Sequence, residues 1–400
     1  MDAADNCLGT DFLGLPFFES LPSYRMQTLT PGFTDVFCYG DCGGFGLYNN
    51  FLFRAIGKHQ LEDHQDAALM LFEKHDDAFA YGWWSLIWYN PNLESGNYRN
   101  LPLAKLFPDL GLGIMRDGWQ KEDVGFMLKN IPYAGERLLE YRKEHNSYIN
   151  IAHDDPDANS FLLYTDGEMV ADYDAYANPK YTSSHNTILV NGEGQRHDGK
   201  GWSQPIDNMQ DLARLITWEV TDDDAVIMEG EAGNAYEGLD RYRRAVIWLP
   251  GSYILLLDDI RAKSKSDITW LVQSDNSQII DKKANHYRIE AKNGGKCDFY
   301  MAGNAAVSPA MDISTANHRG KKMGYKQLQV TANTDQWRVA TVFDAWHKGE
   351  IDVQLDEKSD GSAVITIKGP DFEDTVNWKY ALDQNSPAGF SVSGSHDVSQ

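Results

Sequence analysis

Residues 153–173, HDDPDANSFLLYTDGEMVADY, join two kinds of chain. The first nine positions are acidic and turn-forming, with His153, Asp154, Asp155, Asp157 and Asn159 close together. Phe161, Leu162, Leu163 and Tyr164 then form an apolar run, and Met169, Val170 and Ala171 form another beyond Gly167. The pattern predicts strand, turn and strand, with Gly167 at the turn and an acidic segment at the entry. An acidic loop against a strand reads either as solvated surface or as one wall of a site.

The chain changes character near residue 145. Before it, GFGLYNNFLFRAIG (44–57) and EDHQDAALMLFEKH (62–75) carry apolar residues at three-to-four spacing, the period of amphipathic helices. SLIWYNPN (85–92) and PLAKLFPDLG (102–111) read as helix ends, closed by proline, asparagine and glycine. After it come short β-rich runs: SFLLY (160–164), NTILV (186–190), YRRAVIWL (242–249), SYILLLDDI (252–260), ITWLVQS (268–274) and WRVATVF (337–343). NGEG (191–194), LPGS (249–252) and KNGG (292–295) supply turns. Strands at this spacing predict a large antiparallel β-sandwich.

Composition sets the bounds. The chain has 400 residues, 42% of them hydrophobic, enough for more than one folded core. Its formal net charge is −23, so a phosphate-tracking surface is not expected and nucleic acid is excluded as a partner. Any acidic ligand would need a local cationic patch against that balance. Four cysteines (Cys7, Cys38, Cys42, Cys297) imply no disulfide framework, and Cys38 and Cys42 lack the second pair a zinc site needs. No run approaches the roughly 20 apolar residues of a membrane span. The start, MDAADNCLGTDFLG, has neither the basic leader nor the apolar core of a signal peptide.

The stretch 153–195 resembles the signature of the heparinase II/III-like polysaccharide lyases. That pattern runs H-x-H-x-D-x-N-S-F, a glycine turn, an aspartate, then H-N-T before V-x-G-x-G-Q. Here it is matched by His153, Asp157, Asn159, Ser160, Phe161, Gly167, Asp172, His185, Asn186, Thr187, Val190, Gly192, Gly194 and Gln195. GIMRDGW (113–119) resembles the arginine-containing strand that opens the family's sandwich. The resemblance implies an α+β multidomain protein. A partial (α/α) toroid would occupy residues 1–130, the sandwich 131–390, and a frayed tail 391–400. Because the family's toroid begins earlier, the chain is expected to correspond to the C-terminal portion of a lyase, entered in mid-toroid.

The resemblance also implies roles. The family's second histidine of H-x-H is Asp155 here, so the metal ligands carried over are Asp155, Asp172 and His185. Zinc is the expected divalent ion, with manganese or calcium as oxygen-preferring alternatives. The reaction is β-elimination on a uronic-acid polymer, alginate or a heparin-type glycosaminoglycan: a base removes the C5 proton and an acid protonates the departing O4. His153 suits either task near neutral pH. Tyr181 is the tyrosine closest to His185 in a segment that also holds Tyr173 and Tyr176. Arg116, Asn186, Arg196 and His197 are expected to contact substrate. A periplasmic or secreted location follows from the family.

Blander roles compete with these. Asp157 and Asn159 suit turn capping. Trp83, Trp84 and Trp88 suit helix packing. Arg241, Arg243 and Arg244 alternate with apolar residues as a solvent-facing strand edge would. RHDGKGW (196–202) suits an exposed turn. Two other functions stay open: a non-catalytic carbohydrate-binding remnant of such a lyase, and a glycoside hydrolase using a carboxylate pair.

Overall fold

The structure, a computed structural model, describes residues 6–41, 52–75, 82–147, 149, 153–172, 179–200, 212–275, 277–283, 285–313, 317–318, 321–322 and 325–399. Helices Pro16–Gln27, Leu52–His59, Glu62–Lys74 and Gly82–Trp88 come first. Pro16 opens its helix at a position where a missing N–H costs nothing. Leu52, Phe53 and Ile56 lie on one face of the second helix, and Ala67, Ala68 and Leu71 on one face of the third. They close on Met26, Phe33 and Trp119 in a single apolar cluster. The helices expected over 44–57 and 62–75 are thus present from Leu52 and Glu62; residues 44–51 lie outside the described residues.

Helical structure gives way to strands earlier than residue 130. Ala104–Phe107, Leu112–Arg116 and Gly125–Lys129 are strands, and PLAKLFPDLG holds one of them before a single turn, Pro108–Leu110. Its four central residues are too few for a helix, and pairing of Ala104–Phe107 with Leu112–Met115 decides the outcome. These strands continue into Ser160–Thr165 and Glu168–Ala171 as a five-stranded antiparallel sheet in chain order. Asp166 and Gly167, with φ of 54° and 82°, close the last hairpin in the left-handed conformations that match strand twist.

A ten-stranded sheet follows, built on Tyr253–Asp275, which pairs with Leu239–Leu249 on one side and Tyr325–Asp344 on the other. A five-stranded sheet spans Asp352 to Ser399. The three large sheets stack in layers. Val246, Trp248, Ile254 and Trp270 pack toward Phe126, Leu128, Phe161 and Leu163 of the first sheet. Ile247, Leu255 and Leu257, on the opposite face, pack on Ile365, Val376, Trp378 and Phe390 of the last. A strand buried on both faces needs no polar alternation, which accounts for the continuous run in SYILLLDDI.

Burial on both faces also corrects the reading of Arg241, Arg243 and Arg244 as solvent-facing. They are buried and paired with Asp259, with Glu229 and Glu231, and with Asp258, respectively. The expected tail at 391–400 is ordered as well over residues 391–399. Gly389–Gly394 is a strand, and Val398–Ser399 folds back onto Ser391 and Val392. His396 Nδ1 lies 2.7 Å from the buried carboxylate of Asp374.

Candidate active site

The acidic segment 153–157 lies between the helical part and the sandwich, held by two buried lysines. Lys180 donates from Nζ to Asp41 Oδ1 and Asp155 Oδ1, both at 2.6 Å. Lys129, at the end of its strand, donates to Asp154 Oδ1 and Asp157 Oδ1, again at 2.6 Å each. Asp154 Oδ2 also accepts from the Ala134 N–H. Each lysine therefore bridges two carboxylates, Lys129 within the segment itself and Lys180 between the segment and Asp41. Charge-assisted bonds of this kind fix the loop far more firmly than its turn residues would.

Asp41 connects this buried cluster to the surface. Its Oδ2 lies 2.8 Å from Nδ1 of His153, whose side chain is 74% exposed while that of Asp41 is 2% exposed. An ionised carboxylate only accepts, so the proton of a neutral His153 ring sits on Nδ1 and Nε2 becomes the basic nitrogen. The Asp41 N–H also donates to the His153 carbonyl at 2.8 Å. Gly40 makes that approach possible: its φ is +67°, and a Cβ there would stand 2.6 Å from the same carbonyl oxygen.

Behind the segment, Arg244 holds the two halves of the sequence pattern together. Its Nη1 donates to the carbonyls of Asn159 and Asn186, and its Nε and Nη2 grip Asp258. Gln195 clamps Ala158 through both its amide atoms. Thr187 Oγ1 donates to the same Ala158 carbonyl. His185 is buried, with Nε2 3.9 Å from Asp155 Oδ2. Burial, reinforced by Lys129 and Lys180, pushes its pKa well below the ordinary value, so the ring is neutral. Burial raises Asp155 to about 6 although Lys180 and Lys129 pull it down, and raises Asp157 to about 7 against the pull of Lys129. Asp154 moves the other way: Lys129 and two backbone N–H groups outweigh its burial.

The expected residues divide. His153, Asp155 and His185 converge, and Asn186 Nδ2 bonds the Asp172 carbonyl, bringing that backbone alongside. Tyr181 follows Lys180 and lies half-buried, its ring 3.1 Å from where a Gly199 Cβ would be. Arg196 and His197 line an open cleft of about 450 Å³ with Glu193, Asp198, Tyr236 and Glu237. Arg196 is paired there with Glu237 at 2.9 Å. Two expected substrate contacts are corrected. Arg116 is buried and donates to the Gln27 and Leu29 carbonyls, tying the helical part to the first sheet. Asn186 is fully buried and spends its amide on Phe161, Asp172 and Gln273. Tyr173, Tyr176, Trp202 and Cys42 lie outside the described residues, as do the side chains of Trp83 and Trp84. Cys38 is disulfide-bonded.

The donor set does not fit a divalent ion as it stands. Ligating oxygens sit roughly 2–2.6 Å from zinc or calcium, and the Lys180 ammonium already stands at 2.6 Å from Asp155 Oδ1, so an ion on Oδ2 would share its carboxylate with a fixed cation. Among the described residues, no group of three or more His, Cys, Asp or Glu is arranged to hold a metal. The groups that sequence reading missed are Asp41, Lys129, Lys180 and Arg244. Only Asp41 had a local signal, since its glycine-rich surroundings (FCYGDCGG, 37–44) mark a loop that can approach another backbone closely.

A family model described as Heparinase II/III-like, C-terminal, matches residues 100–379. Among solved structures, the heparinase III BT4657 gene product aligns with a TM-score of 0.61 and 15% identity, covering 90% of this chain and 52% of that one. A further heparinase III structure gives 0.60 and 14%, covering 91% and 54%. The heparan sulfate lyase HepC from Pedobacter heparinus gives 0.53 and 16%, covering 94% and 51%. The chain thus spans about half the length of the structures it matches. No curated protein sequence matches it significantly.

Proposed function

Because the chain belongs to the heparinase II/III-like family through its C-terminal domain, we propose that it is the sandwich-bearing part of a polysaccharide lyase acting on an acidic, uronic-acid-containing polymer. The helices Pro16–Gln27 to Gly82–Trp88 are then the last arc of an (α/α) toroid. Neighbours named for heparin and heparan sulfate favour a glycosaminoglycan over alginate as the substrate. Such polymers lie outside the cell or in the periplasm, and that is where the protein would work. Among the described residues no helix is long and apolar enough to cross a membrane.

The observation that carries this reading is the exposed imidazole of His153 held by the buried carboxylate of Asp41. In β-elimination the C5–H bond breaks, its electron pair forms the C4–C5 double bond, and the C4–O4 bond breaks. His153 Nε2 would take the C5 proton, and the hydroxyl of half-buried Tyr181 would deliver one to O4. Arg196 and His197 would contact substrate in the adjoining cleft. Charge also builds on the uronate carboxylate, and stabilising it is usually the largest catalytic contribution. Lys129 and Lys180 are each committed to two aspartates, so they do not supply that charge. Residues 1–400 alone are therefore expected to turn over weakly, and a protein with further toroid helices ahead of them strongly.

The test is to incubate both forms with heparan sulfate, heparin and alginate and to follow the ultraviolet absorbance of the unsaturated uronate product. Absorbance from the longer form, lost in His153→Ala, is the expected result. New reducing ends without absorbance would replace elimination by hydrolysis. Polymer binding with no product from either form would leave a carbohydrate-binding remnant.

A further inference from the structure

Asp155 and His185 occupy positions where the resemblance implies metal ligands, and their facing atoms are 3.9 Å apart. That carboxylate is nevertheless already held on its other oxygen: Oδ2 faces His185, and Oδ1 carries a lysine ammonium. Lys180 Nζ stands 2.6 Å from Asp155 Oδ1 and 2.6 Å from Asp41 Oδ1, and its side chain is only 4% exposed. A divalent cation between Oδ2 and His185 would share the Asp155 carboxylate with that ammonium, and the repulsion would act in a site with little water to screen it.

The arrangement is repeated next door. Lys129 bridges Asp154 and Asp157 with the same two 2.6 Å bonds. Two buried ammoniums thus organise four carboxylates, three from the segment 153–157 and Asp41 from another stretch of chain. Bridging carboxylates from separate chain segments is what a structural metal ion does, and a lysine does it with fixed donors and no dependence on metal supply. Asp41, one of the bridged pair, also holds His153.

We infer that Lys180 is the resident cation of this site: its ammonium substitutes for a divalent ion, joining Asp41 to Asp155, and the His153 platform assembles without metal. This inference does not depend on which reaction the protein catalyses.

The experiment uses the whole chain, stripped with chelator, incubated with zinc, manganese or calcium chloride, desalted, and submitted to elemental analysis and thermal melting. The wild type is expected to retain less than about 0.1 equivalent of each metal, with a Tm shift below about 1 °C, because a ligand that does not bind the native state cannot stabilise it. Lys180→Gly removes the ammonium while sparing Asp41, Asp155 and His185. This variant is expected to melt lower, to take up about one equivalent of zinc, and to regain several degrees of Tm on doing so. Lys180→Arg keeps a cation and should remain zinc-free. Retention of about one equivalent by the wild type, lost in Asp155→Asn, would overturn the inference. So would a folded Lys180→Gly that takes up no zinc. The wild-type measurement decides the matter even where Lys180→Gly does not fold.

Discussion

Asp41 and His153 are 112 positions apart in the chain, yet carboxylate and imidazole meet at 2.8 Å, and their backbones are joined by a second bond at the same distance. The exposed ring is therefore oriented from beneath by a residue of the helical part. A first prediction follows from the two separate functions of this contact. In a form that gives product, His153→Ala should abolish it with little change in Tm, since the ring is mostly exposed. Asp41→Asn should lower kcat by about 10- to 100-fold and also lower Tm, because it removes one of the two partners of Lys180. Equal losses of Tm in the two variants would contradict the division.

Gly40→Ala gives a second test. At φ +67° with a backbone oxygen 2.6 Å from the new methyl, the loop must shift away from His153. Strain of this kind costs about 1–3 kcal/mol, so the fold should survive while turnover falls toward that of Asp41→Asn. Denaturant unfolding beside an activity assay separates the two effects. A fully active Gly40→Ala would show that Asp41 does not position the ring.

Lys129→Met should be strongly destabilising. It leaves Asp154 and Asp157 buried without their cation, a loss of roughly 3–5 kcal/mol for breaking such a group. Adding Asp154→Asn and Asp157→Asn to the same chain should recover part of it, since the neutral set no longer buries unpaired charge. Urea midpoints of the single and triple variants check this. A triple variant less stable than the single one would refute the account.

Stability should depend on pH through two groups of opposite sign. Asp157 is pushed up by burial from 3.8 to about 7, so between those values the folded protein holds a proton that the unfolded chain releases. The stability it contributes is complete below about pH 4 and is lost as pH rises through about 7. His185 is shifted well below 6.5, so its contribution is complete above about that pH and is lost as pH falls. Asp157→Asn removes only the first. The stability difference, wild type minus variant, should fall by up to about 1.4 kcal/mol per pH unit between about pH 5 and 7. A difference independent of pH would show that Asp157 does not titrate in that range.

The hairpin around Gly167 and the sandwich strands were legible because period-two burial and turn residues are local properties. The grouping of His153, Asp155 and His185 was legible through the spaced pattern 153–195. What escaped was set by partners distant in sequence. Arg243 looked solvent-facing because alternation implies one wet face, and nothing nearby announces a third sheet covering it; Arg244 points the other way, onto the carbonyls of Asn159 and Asn186. Lys129 ends an apolar strand, and Lys180 lies in a polar run between Pro179 and Tyr181; neither position reveals two buried aspartates waiting for it. Arg116 was assigned to substrate from its place in a resembling strand, whereas the carbonyls of Gln27 and Leu29 claim it.

The bonds of Lys180 to Asp41 and Asp155 span 139 and 25 positions, and no strand pairing lies directly between these residues. Side-chain bonds outside the strand ladders belong to the parts of a structure that open locally at lower cost than its buried strands. Amides around Asp41 and Asp155 should therefore exchange with deuterium sooner than those of Leu255 to Leu257 in the middle layer. Faster exchange there would put the chemistry on a separable cooperative unit, lost and regained while the three sheets remain folded.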